Sequence, residues 1–246
     1  MVATAPTLPK RNNQPNWHKD SDPHKRGGSE YKERRKAIST KAGARSFFYD
    51  SHKDSHHNRK LFTEKNMIDQ IINFNKSFVE SKGYEKYLTD KYPDKKLAVL
   101  SCMDTRLTEL LPAALGLKNG DAKIIKNAGG LVISAFDSAM RSLIVAIYEL
   151  GVKEIMVVAH SHCGACHMSY DHFHHEMIAR GVTDETLDTI RKCGIDLNHW
   201  LEGFKDTPES VKKTVETIKT HPLVPKDIIV RGFIIDSETG ALEEIK

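Results

Sequence analysis

Two apolar, β-branched runs in this sequence each end in a short polar cluster, and this arrangement constrains the fold more than any other feature. The runs span residues 97–100 and 155–158. The clusters that follow them contain, in chain order, Cys102, Asp104 and Arg106, and then His160 and Cys163. Short apolar runs of this kind are typical of buried strands, and the carboxyl ends of neighbouring parallel strands meet at one edge of a sheet. The pattern therefore predicts that two thiols and one imidazole lie together at that edge.

The rest of the chain alternates predicted strands and helices. Apolar runs predict further strands over residues 122–125, 228–235 and 241–245. The helical spacing of apolar residues predicts helices over residues 67–78, 107–115, 136–150, 170–180, 184–192, 196–204 and 208–219. The strand–helix–strand order ahead of residue 160 favours parallel pairing through right-handed crossovers. We therefore expect an α/β fold in which helices flank a central, mostly parallel β-sheet.

Capping residues predict where several of these helices begin. Thr63, Asp184, Asp196 and Thr207 lie just ahead of apolar helical stripes. The side-chain oxygens of such residues accept hydrogen bonds from the free amide groups at helix N-termini. In the third predicted helix, Phe136 is the first member of the apolar stripe that we expect to face the core.

Charge divides the chain into a basic N-terminal segment and a mildly acidic remainder. Residues 1–60 contain 14 Lys and Arg against 6 Asp and Glu, a net charge of +8. The whole chain has 37 basic and 33 acidic residues, so residues 61–246 carry 23 and 27, a net charge of −4. The basic segment has few large aliphatic residues and cannot bury enough surface to offset its ordering entropy. We therefore expect a disordered basic arm over 1–60 and one α/β domain over 61–246; nucleic-acid binding by the arm is the alternative.

Cysteine content and hydropathy indicate an intracellular protein. Four cysteines in 246 residues are too few for a disulfide scaffold, which favours a reducing compartment where thiols stay free. No run approaches the roughly 18 apolar residues that a membrane span needs. No secretory signal core follows Met1, because Lys10 and Arg11 begin a long polar stretch. We expect a cytoplasmic protein without a membrane span.

Two cysteines and one histidine form a ligand set that catalytic zinc uses while keeping its fourth position open. Here the set is Cys102, His160 and Cys163. The carboxylate of Asp104 can bind the metal as a fourth protein ligand, which gives a closed, structural site. Alternatively, Arg106 can hold Asp104 in a bidentate pair and keep it off the metal. In that arrangement zinc-bound hydroxide is available as a nucleophile.

Four segments of the chain resemble the motifs of the β-class carbonic anhydrases, in the same order and with similar spacing. They are Ser-Cys-Met-Asp-Thr-Arg (101–106), Lys-Asn-Ala-Gly-Gly (126–130), Met-Arg-Ser-Leu (140–143) and Ala-His-Ser-His-Cys-Gly (159–164). The resemblance runs from about residue 66 to the C-terminus, and within the family it is closest to a short bacterial branch. It implies reversible hydration of carbon dioxide to bicarbonate and a proton by a zinc-dependent enzyme.

The resemblance also implies roles for individual residues. It places zinc on Cys102, His160 and Cys163, with Asp104 and Arg106 as the catalytic pair. It implies that backbone groups of Ala128 and Gly129 line the substrate pocket, where small residues let a small molecule approach the main chain. It further implies a homodimer or a higher homo-oligomer, with active sites near the interface.

Departures from the family pattern surround the second cysteine. Relatives usually carry an acidic or amide residue where this chain has His162, which introduces a cationic group or a competing ligand. Residues 163–167 also match the C-x-x-C-H signature of haem attachment, although haem would leave the 102–106 cluster without a role. Oxidation of Cys163 with Cys166 would instead remove a zinc ligand. An incidental Cys166 remains the simpler interpretation, and Cys193 is predicted to pack in the core.

Alternative functions remain open at the level of sequence. The same zinc site can hydrolyse carbonyl sulfide or carbon disulfide, as relatives with this fold do. A non-catalytic zinc protein, with Asp104 held on the metal, is a second alternative. The histidines at 172, 174 and 175 are predicted to form a solvated helix face and not a metal site.

Overall fold

A computed structural model of the protein describes residues 66–246. Three predictions fall outside this range. They are the disordered basic arm over residues 1–60, the domain boundary that follows it, and the helix cap at Thr63. All three remain predictions. The described residues form one compact unit, Asn66–Lys246.

Strands and helices alternate through most of the described residues. The strands are β1 (Leu97–Cys102), β2 (Ala122–Asn127), β3 (Glu154–His160), β4 (Ile229–Ile235) and β5 (Leu242–Ile245). The helices are α1 (Met67–Glu80), α2 (Leu107–Ala114), α3 (Ser138–Tyr148), α4 (Tyr170–Ala179), α5 (Asp184–Lys192), α6 (Leu197–Leu201) and α7 (Thr207–Thr220). Short 3₁₀ helices span Glu85–Tyr87 and Ala128–Gly130. Each strand and helix predicted for this part of the chain has a counterpart within a few residues.

The strands form one sheet in the order β2-β1-β3-β4-β5. β1 is parallel to β2 and to β3, β3 is parallel to β4, and β5 runs antiparallel to β4. The predicted α/β fold with a mostly parallel sheet is therefore confirmed. The register pairs Ser101 with Val158 and His160 with Ile235. The carboxyl ends of β1, β3 and β4 consequently meet at one edge of the sheet.

Apolar side chains cover both faces of the sheet. On one face, Leu100 of β1 and Val157 of β3 belong to a buried cluster with Leu143 of α3. On the other face, Val99 of β1 lies in a cluster with Leu111 of α2. Successive residues of a strand point to opposite faces, so β1 contributes to both clusters. Covering both faces is typical of parallel sheets, and this burial fixes the strands that carry the polar clusters.

Two helices begin one residue earlier than their predicted caps require. Thr183 caps α5 and Asp206 caps α7, so Asp184 and Thr207 are the first helical residues and not caps. In each case two residues of a capping type are adjacent, and the one with an extended backbone provides the cap. Asp196 caps α6 as predicted, since its side chain accepts hydrogen bonds from the first turn.

The start of α3 also differs from the prediction. The carboxylate of Asp137 accepts hydrogen bonds at 2.7 Å from the backbone amides of Met140 and of Ile133. This cap starts the helix after Phe136, whose side chain is 82% exposed. The prediction that Phe136 belongs to the buried stripe is wrong, because a local cap overrides the helical spacing of the apolar residues.

Helix α1 differs in its exposure from α7, the other described helix of 14 residues, which has buried residues. Asn66 caps it by accepting a hydrogen bond at 3.0 Å from the amide of Asp69. None of its 14 residues is buried. Its exposed apolar side chains are Met67, Ile68, Ile71, Ile72, Phe74 and Val79. Such a face is stable in water only when another surface covers it.

A search of residues 66–246 finds no helix with the length and apolar character that a membrane crossing requires.

Candidate metal centre

Three potential metal ligands converge at the carboxyl edge of the sheet. Cys102 is the last residue of β1 and His160 is the last residue of β3, while Cys163 lies in the turn that follows. The two Sγ atoms are 3.8 Å apart. Both sulfur atoms and a ring nitrogen of His160 lie within 4.8 Å of one another, and all three residues are buried. The structure thus brings together the three residues that the sequence predicted as metal ligands.

The imidazole of His160 has one satisfied nitrogen and one unsatisfied nitrogen. Its Nδ1 atom lies 2.9 Å from the backbone carbonyl oxygen of Ser161. A carbonyl only accepts hydrogen bonds, so Nδ1 carries the proton and donates it. The Nε2 atom is buried and has no hydrogen-bond partner among the described residues. Such a buried polar atom is costly unless a further group, such as a metal ion, satisfies it.

Ionisation of the Cys102 thiol disfavours ionisation of the neighbouring Cys163 thiol. The neighbouring Cys163 thiol, and after it the His160 imidazole, lower the pKa of Cys102 to about 4 despite its burial. The same interaction and burial raise the pKa of Cys163. The Cys102 thiolate also raises the pKa of His160, so an incoming cation competes with a proton. A divalent cation would offset the second thiolate charge that the protein alone disfavours.

These observations fit a metal ion in both geometry and chemistry. Two sulfur donors and an imidazole nitrogen within 4.8 Å form a soft, partly anionic donor set. Thiolate and imidazole donors favour zinc over magnesium or calcium, which prefer oxygen. Three protein donors leave one position of a tetrahedral ion to be filled. The structure therefore offers a site that could hold a metal, with zinc as the ion that this donor set favours.

Asp104 and Arg106 form a bidentate ion pair beside the three donors. Arg106 Nε donates to Oδ1 of Asp104 at 3.0 Å, and Arg106 Nη2 donates to Oδ2 at 2.8 Å. The backbone amide of Arg106 donates to Oδ1 as well, at 2.9 Å. These bonds hold the pKa of Asp104 well below its usual range, so the carboxylate is ionised at neutral pH. Arg106 thereby fixes the carboxylate in position and in charge state.

The same guanidinium links the two sequence clusters. Arg106 Nη2 donates a second hydrogen bond, at 2.9 Å, to the backbone carbonyl of His162. Oδ2 of Asp104 lies 3.8 Å from Nε2 of His160. The carboxylate is therefore close to the position that a metal would occupy, while Arg106 hydrogen-bonds both of its oxygens. The structure thus contains the Asp104–Arg106 pair.

The Ala128–Gly130 turn packs tightly against the ligand-bearing strand. Gly129 and Gly130 have φ angles of +84° and +69°, which side chains rarely adopt. A Cβ atom on Gly130 would lie 2.8 Å from the backbone nitrogen of Cys102. The backbone of Gly129 also hydrogen-bonds the Cys102 thiol and lowers its pKa. Gly129 is thus adjacent to the donor set, and the substrate-binding role of Ala128 and Gly129 stays a prediction.

Several residues around the centre were missed at the level of sequence. Lys126 Nζ donates to the carbonyls of Cys102 at 3.4 Å and of Leu107 at 3.3 Å, which joins the two ends of the 102–107 loop. Lys126 lies inside a motif quoted above, so that motif was the available signal. Asp236 and Ser237, in the turn between β4 and β5, contact Ser161. The sequence around Asp236 and Ser237 predicts a turn but does not indicate a contact with the metal centre.

His162 and Cys166, the residues near Cys163 that depart from the family pattern, are not among the three potential metal donors. His162 is exposed, with φ at +54°, and its carbonyl rather than its ring contacts Arg106. Cys166 is partly buried, and its Sγ lies 3.9 Å from the carbonyl of Lys205. Neither residue joins a potential metal-binding group in the part of the chain that the structure describes. The interpretation of Cys166 as incidental stays a prediction.

Two smaller predictions can also be compared with the structure. Cys193 is exposed at the end of α5, so the prediction that it packs in the core is wrong. His174 on α4 pairs with Asp184 at 2.9 Å. His172 and His175 of the same helix are exposed, in agreement with a solvated helix face.

Fold and site together define a class: α/β proteins with a Cys–His–Cys donor set at the carboxyl edge of a mostly parallel sheet. Within this class, the carbonic anhydrase family matches residues 97–242, which is more than half of the 246-residue chain. The chain therefore belongs to the β-carbonic anhydrase family.

Individual relatives support this assignment. YtiB of Bacillus subtilis (strain 168), provisionally named a carbonic anhydrase, is 48% identical over 179 residues, or 73% of this chain and 96% of YtiB. The crystal structure of β-carbonic anhydrase isoform I from Trichomonas vaginalis has a TM-score of 0.66 and 34% identity. The match covers 74% of this chain and 98% of the Trichomonas vaginalis chain. The prediction of the enzyme class, carbonic anhydrase, is confirmed.

Similarity also extends to an enzyme named for another substrate. Carbon disulfide hydrolase of Acidithiobacillus thiooxidans is 32% identical over 169 residues, which covers 64% of this chain and 76% of that protein. Proteins with this degree of similarity therefore include more than one named activity.

Proposed function

We propose that the protein catalyses the zinc-dependent, reversible hydration of carbon dioxide to bicarbonate and a proton. The observation that carries this proposal is the bidentate pair between Arg106 and Asp104. Because Arg106 engages both carboxylate oxygens, Cys102, His160 and Cys163 remain as a three-donor set. Such a set leaves a coordination position for water, as in catalytic rather than structural zinc sites.

Cys102, His160 and Cys163 would hold the zinc ion. Zinc bound there supplies Lewis acidity that lowers the pKa of water from about 15.7 towards about 7. Asp104 then accepts a hydrogen bond from the attacking water and orients it towards carbon dioxide. The ionised state of Asp104 suits this role, because a carboxylate only accepts hydrogen bonds. Arg106 keeps the carboxylate ionised and correctly placed.

Ala128 and Gly129 would form the wall against which carbon dioxide lies. Gly129 is buried beside the Cys102 thiol, and its positive φ angle turns the backbone towards the site. A linear molecule of three atoms needs a close approach, and the lack of large side chains at these two residues permits it. The role of these residues is part of the proposal.

The test is stopped-flow carbon dioxide hydration with zinc content measured on the same sample. We expect Arg106→Ala to retain zinc and to lower the hydration rate by at least about 100-fold, the lower range for a positioned proton acceptor. Arg231→Ala is a matched control, because Arg231 forms a similar pair with Glu244 and lies in β4 four residues before Ile235, the register partner of His160. That variant should keep the wild-type rate.

Two outcomes would contradict the proposal. A zinc-loaded Arg106→Ala enzyme with the wild-type rate would remove the role of the pair. A wild-type enzyme with one zinc per chain but no hydration at any pH from about 6.5 to 9 would reject the activity itself. In that case, a fourth protein ligand from Asp104, detected by X-ray absorption, would indicate the non-catalytic alternative.

Hydrolysis of carbonyl sulfide or carbon disulfide is a second candidate activity. It is favoured by the 32% identity to a carbon disulfide hydrolase. The same attacking water and the same residues would serve it. A panel of the three substrates at equal concentration separates the candidates, and we expect the highest kcat/KM for carbon dioxide.

We also propose that the protein forms a homo-oligomer and that it is cytoplasmic. Helix α1 exposes an apolar face that a second copy of the chain would cover, which gives a homodimer or a higher homo-oligomer. A cytoplasmic location would keep Cys102 and Cys163 reduced and free for zinc. Nucleic-acid binding by residues 1–60 is not included in the proposal.

A further inference from the structure

The turn between β4 and β5 contacts both halves of the candidate metal centre. On one side, Ser237 hydrogen-bonds Ser161, the residue that follows the ligand His160. On the other side, the negative charge of Glu238 contributes to the raised pKa of Arg106. The turn includes residues 236–240, none of which was assigned a role above. Its position therefore suggests that it supports the centre from outside.

Ser161 is the element through which this turn reaches the metal ligand. The Ser161 carbonyl accepts the Nδ1 proton of His160 at 2.9 Å, and it also accepts the Ser237 hydroxyl at 3.2 Å. The backbone amide of Ser237 donates to Ser161 Oγ at 2.9 Å. One of these bonds joins Ser237 to the peptide carbonyl that orients the imidazole, and the other joins it to the Ser161 side chain; rotation of that peptide breaks the first.

Asp236 fixes the turn itself. Its Oδ1 atom accepts hydrogen bonds from the amides of Glu238 and Thr239 and from the Thr239 hydroxyl, at 3.1, 2.7 and 2.8 Å. Its Oδ2 atom accepts the Ser161 hydroxyl at 3.3 Å. The carboxylate thus uses one oxygen to close the turn and the other to bind the residue next to the metal ligand.

We propose that Asp236 and Ser237 are positioning residues for the metal ligand His160. They hold the Ser161 carbonyl where it accepts the Nδ1 proton, which leaves the lone pair of Nε2 directed at the metal position. Hydrogen-bond partners of this kind fix the tautomer and ring orientation of metal-binding histidines. This inference rests on the metal site of the proposed function, but not on the identity of its substrate.

The test compares zinc affinity among variants of the full-length protein, by competition with a chromophoric chelator. Ser237→Ala removes the hydroxyl bond to the Ser161 carbonyl. We expect it to weaken zinc binding by at least about 10-fold, the usual lower range for the loss of such a partner. Ser210→Ala is the matched control, since Ser210 is similarly buried and donates to the Thr207 carbonyl at 2.8 Å, within α7. It should bind zinc as the wild type does.

A spectroscopic readout separates positioning from general destabilisation. In cobalt-substituted protein, a reoriented imidazole changes the ligand field, so Ser237→Ala should shift the visible absorption bands while Ser210→Ala should not. Both variants lose one buried hydroxyl group, so the metal-free forms should lose comparable amounts of thermal stability. Ser237→Thr keeps the hydroxyl and should restore both zinc affinity and the cobalt spectrum.

A second variant keeps the test decisive if Ser237→Ala does not fold. Asp236→Asn retains an oxygen that can close the turn but removes the acceptor for the Ser161 hydroxyl, and we expect a loss of zinc affinity of about 10-fold as well. Zinc affinity within about twofold of the wild type in every folded variant of the two residues would overturn the inference. Tight zinc binding by a wild type that does not hydrate carbon dioxide would instead reject the proposed function and leave this comparison valid.

Discussion

The metal centre lies at an edge of the sheet where its donor side chains are buried and held by neighbouring groups, whereas helix α1 has no buried residue at all. Cys102, His160 and Cys163 come from segments whose positions the central sheet fixes. The apolar face of α1 has no such support among the described residues. The three potential metal donors all come from one chain, and we propose that assembly is a separate property that depends on α1. We therefore expect that metal binding and assembly can each be changed without the other.

The largest effect that separates the two regions is expected from the loss of a ligand. Cys163→Ala removes one of the three metal donors, so that only Cys102 and His160 remain to bind the ion. Loss of an outer partner already costs about 10–100-fold in metal affinity, so we expect a loss of more than about 100-fold. Chelator competition measures it, and the oligomeric state should stay unchanged.

Cys193→Ala is the control for this change. Cys193 is an exposed cysteine at the end of α5, away from the donor set. The control variant should bind zinc as tightly as the wild type does. Equal zinc affinity in the Cys163 and Cys193 variants would show that the three-donor centre is assigned wrongly.

A smaller effect is expected at α1 and only on assembly. Ile71→Asp places a charge on the exposed apolar face. Burying an Ile side chain contributes about 1.5–3 kcal/mol, so the dissociation constant of the assembly should rise by at least about 10-fold. Sedimentation equilibrium measures this change, while zinc affinity per chain stays at the wild-type value.

Asn75→Asp on the same helix is the matched control, because it adds a charge at an exposed polar position. It should leave assembly unchanged. If Ile71→Asp assembles as tightly as the control, the apolar face of α1 is not the contact between copies. If Ile71→Asp also loses zinc, the separation between chemistry and assembly fails.

The smallest effect is expected at low pH, and it concerns Asp236 in the turn beside the metal centre. Hydrogen bonds, first from the Thr239 amide, lower the pKa of Asp236 from 3.8 to about 2. A lowered folded-state pKa contributes stability that is present above pH 3.8 and is lost as pH falls towards 2. We expect the Tm of metal-free Asp236→Asn to fall less steeply across this window than that of the wild type. Parallel Tm profiles would contradict the role of this carboxylate in acid.

Local patterns allowed much of the fold and the centre to be predicted from the sequence. Apolar runs located β1 and β3, and parallel strand ends explain why Cys102 and His160 meet. The helix starts were less certain, because adjacent residues such as Thr183 and Asp184 are both capable caps. Local spacing also failed for Phe136, where the cap at Asp137 decides the helix start.

The support around the centre could not be predicted in the same way. Ser161 and Ser237 are 76 residues apart in sequence and meet only because β3 and β4 are neighbours in register. Neither the type of these residues nor their spacing indicates a contact between them. Only the tertiary pairing of the strands reveals it, since a serine in a turn is common for other reasons.

The pairing of β1 with β3 has a consequence for how the protein folds. Cys102 and Cys163 are 61 residues apart, and β2 and α3 lie between them in the chain. Bringing such distant residues together costs loop-closure entropy that only the formed sheet repays. We therefore expect a metal ion to bind late, after the central strands have paired. In refolding experiments, the appearance of the metal centre should report the completion of the sheet.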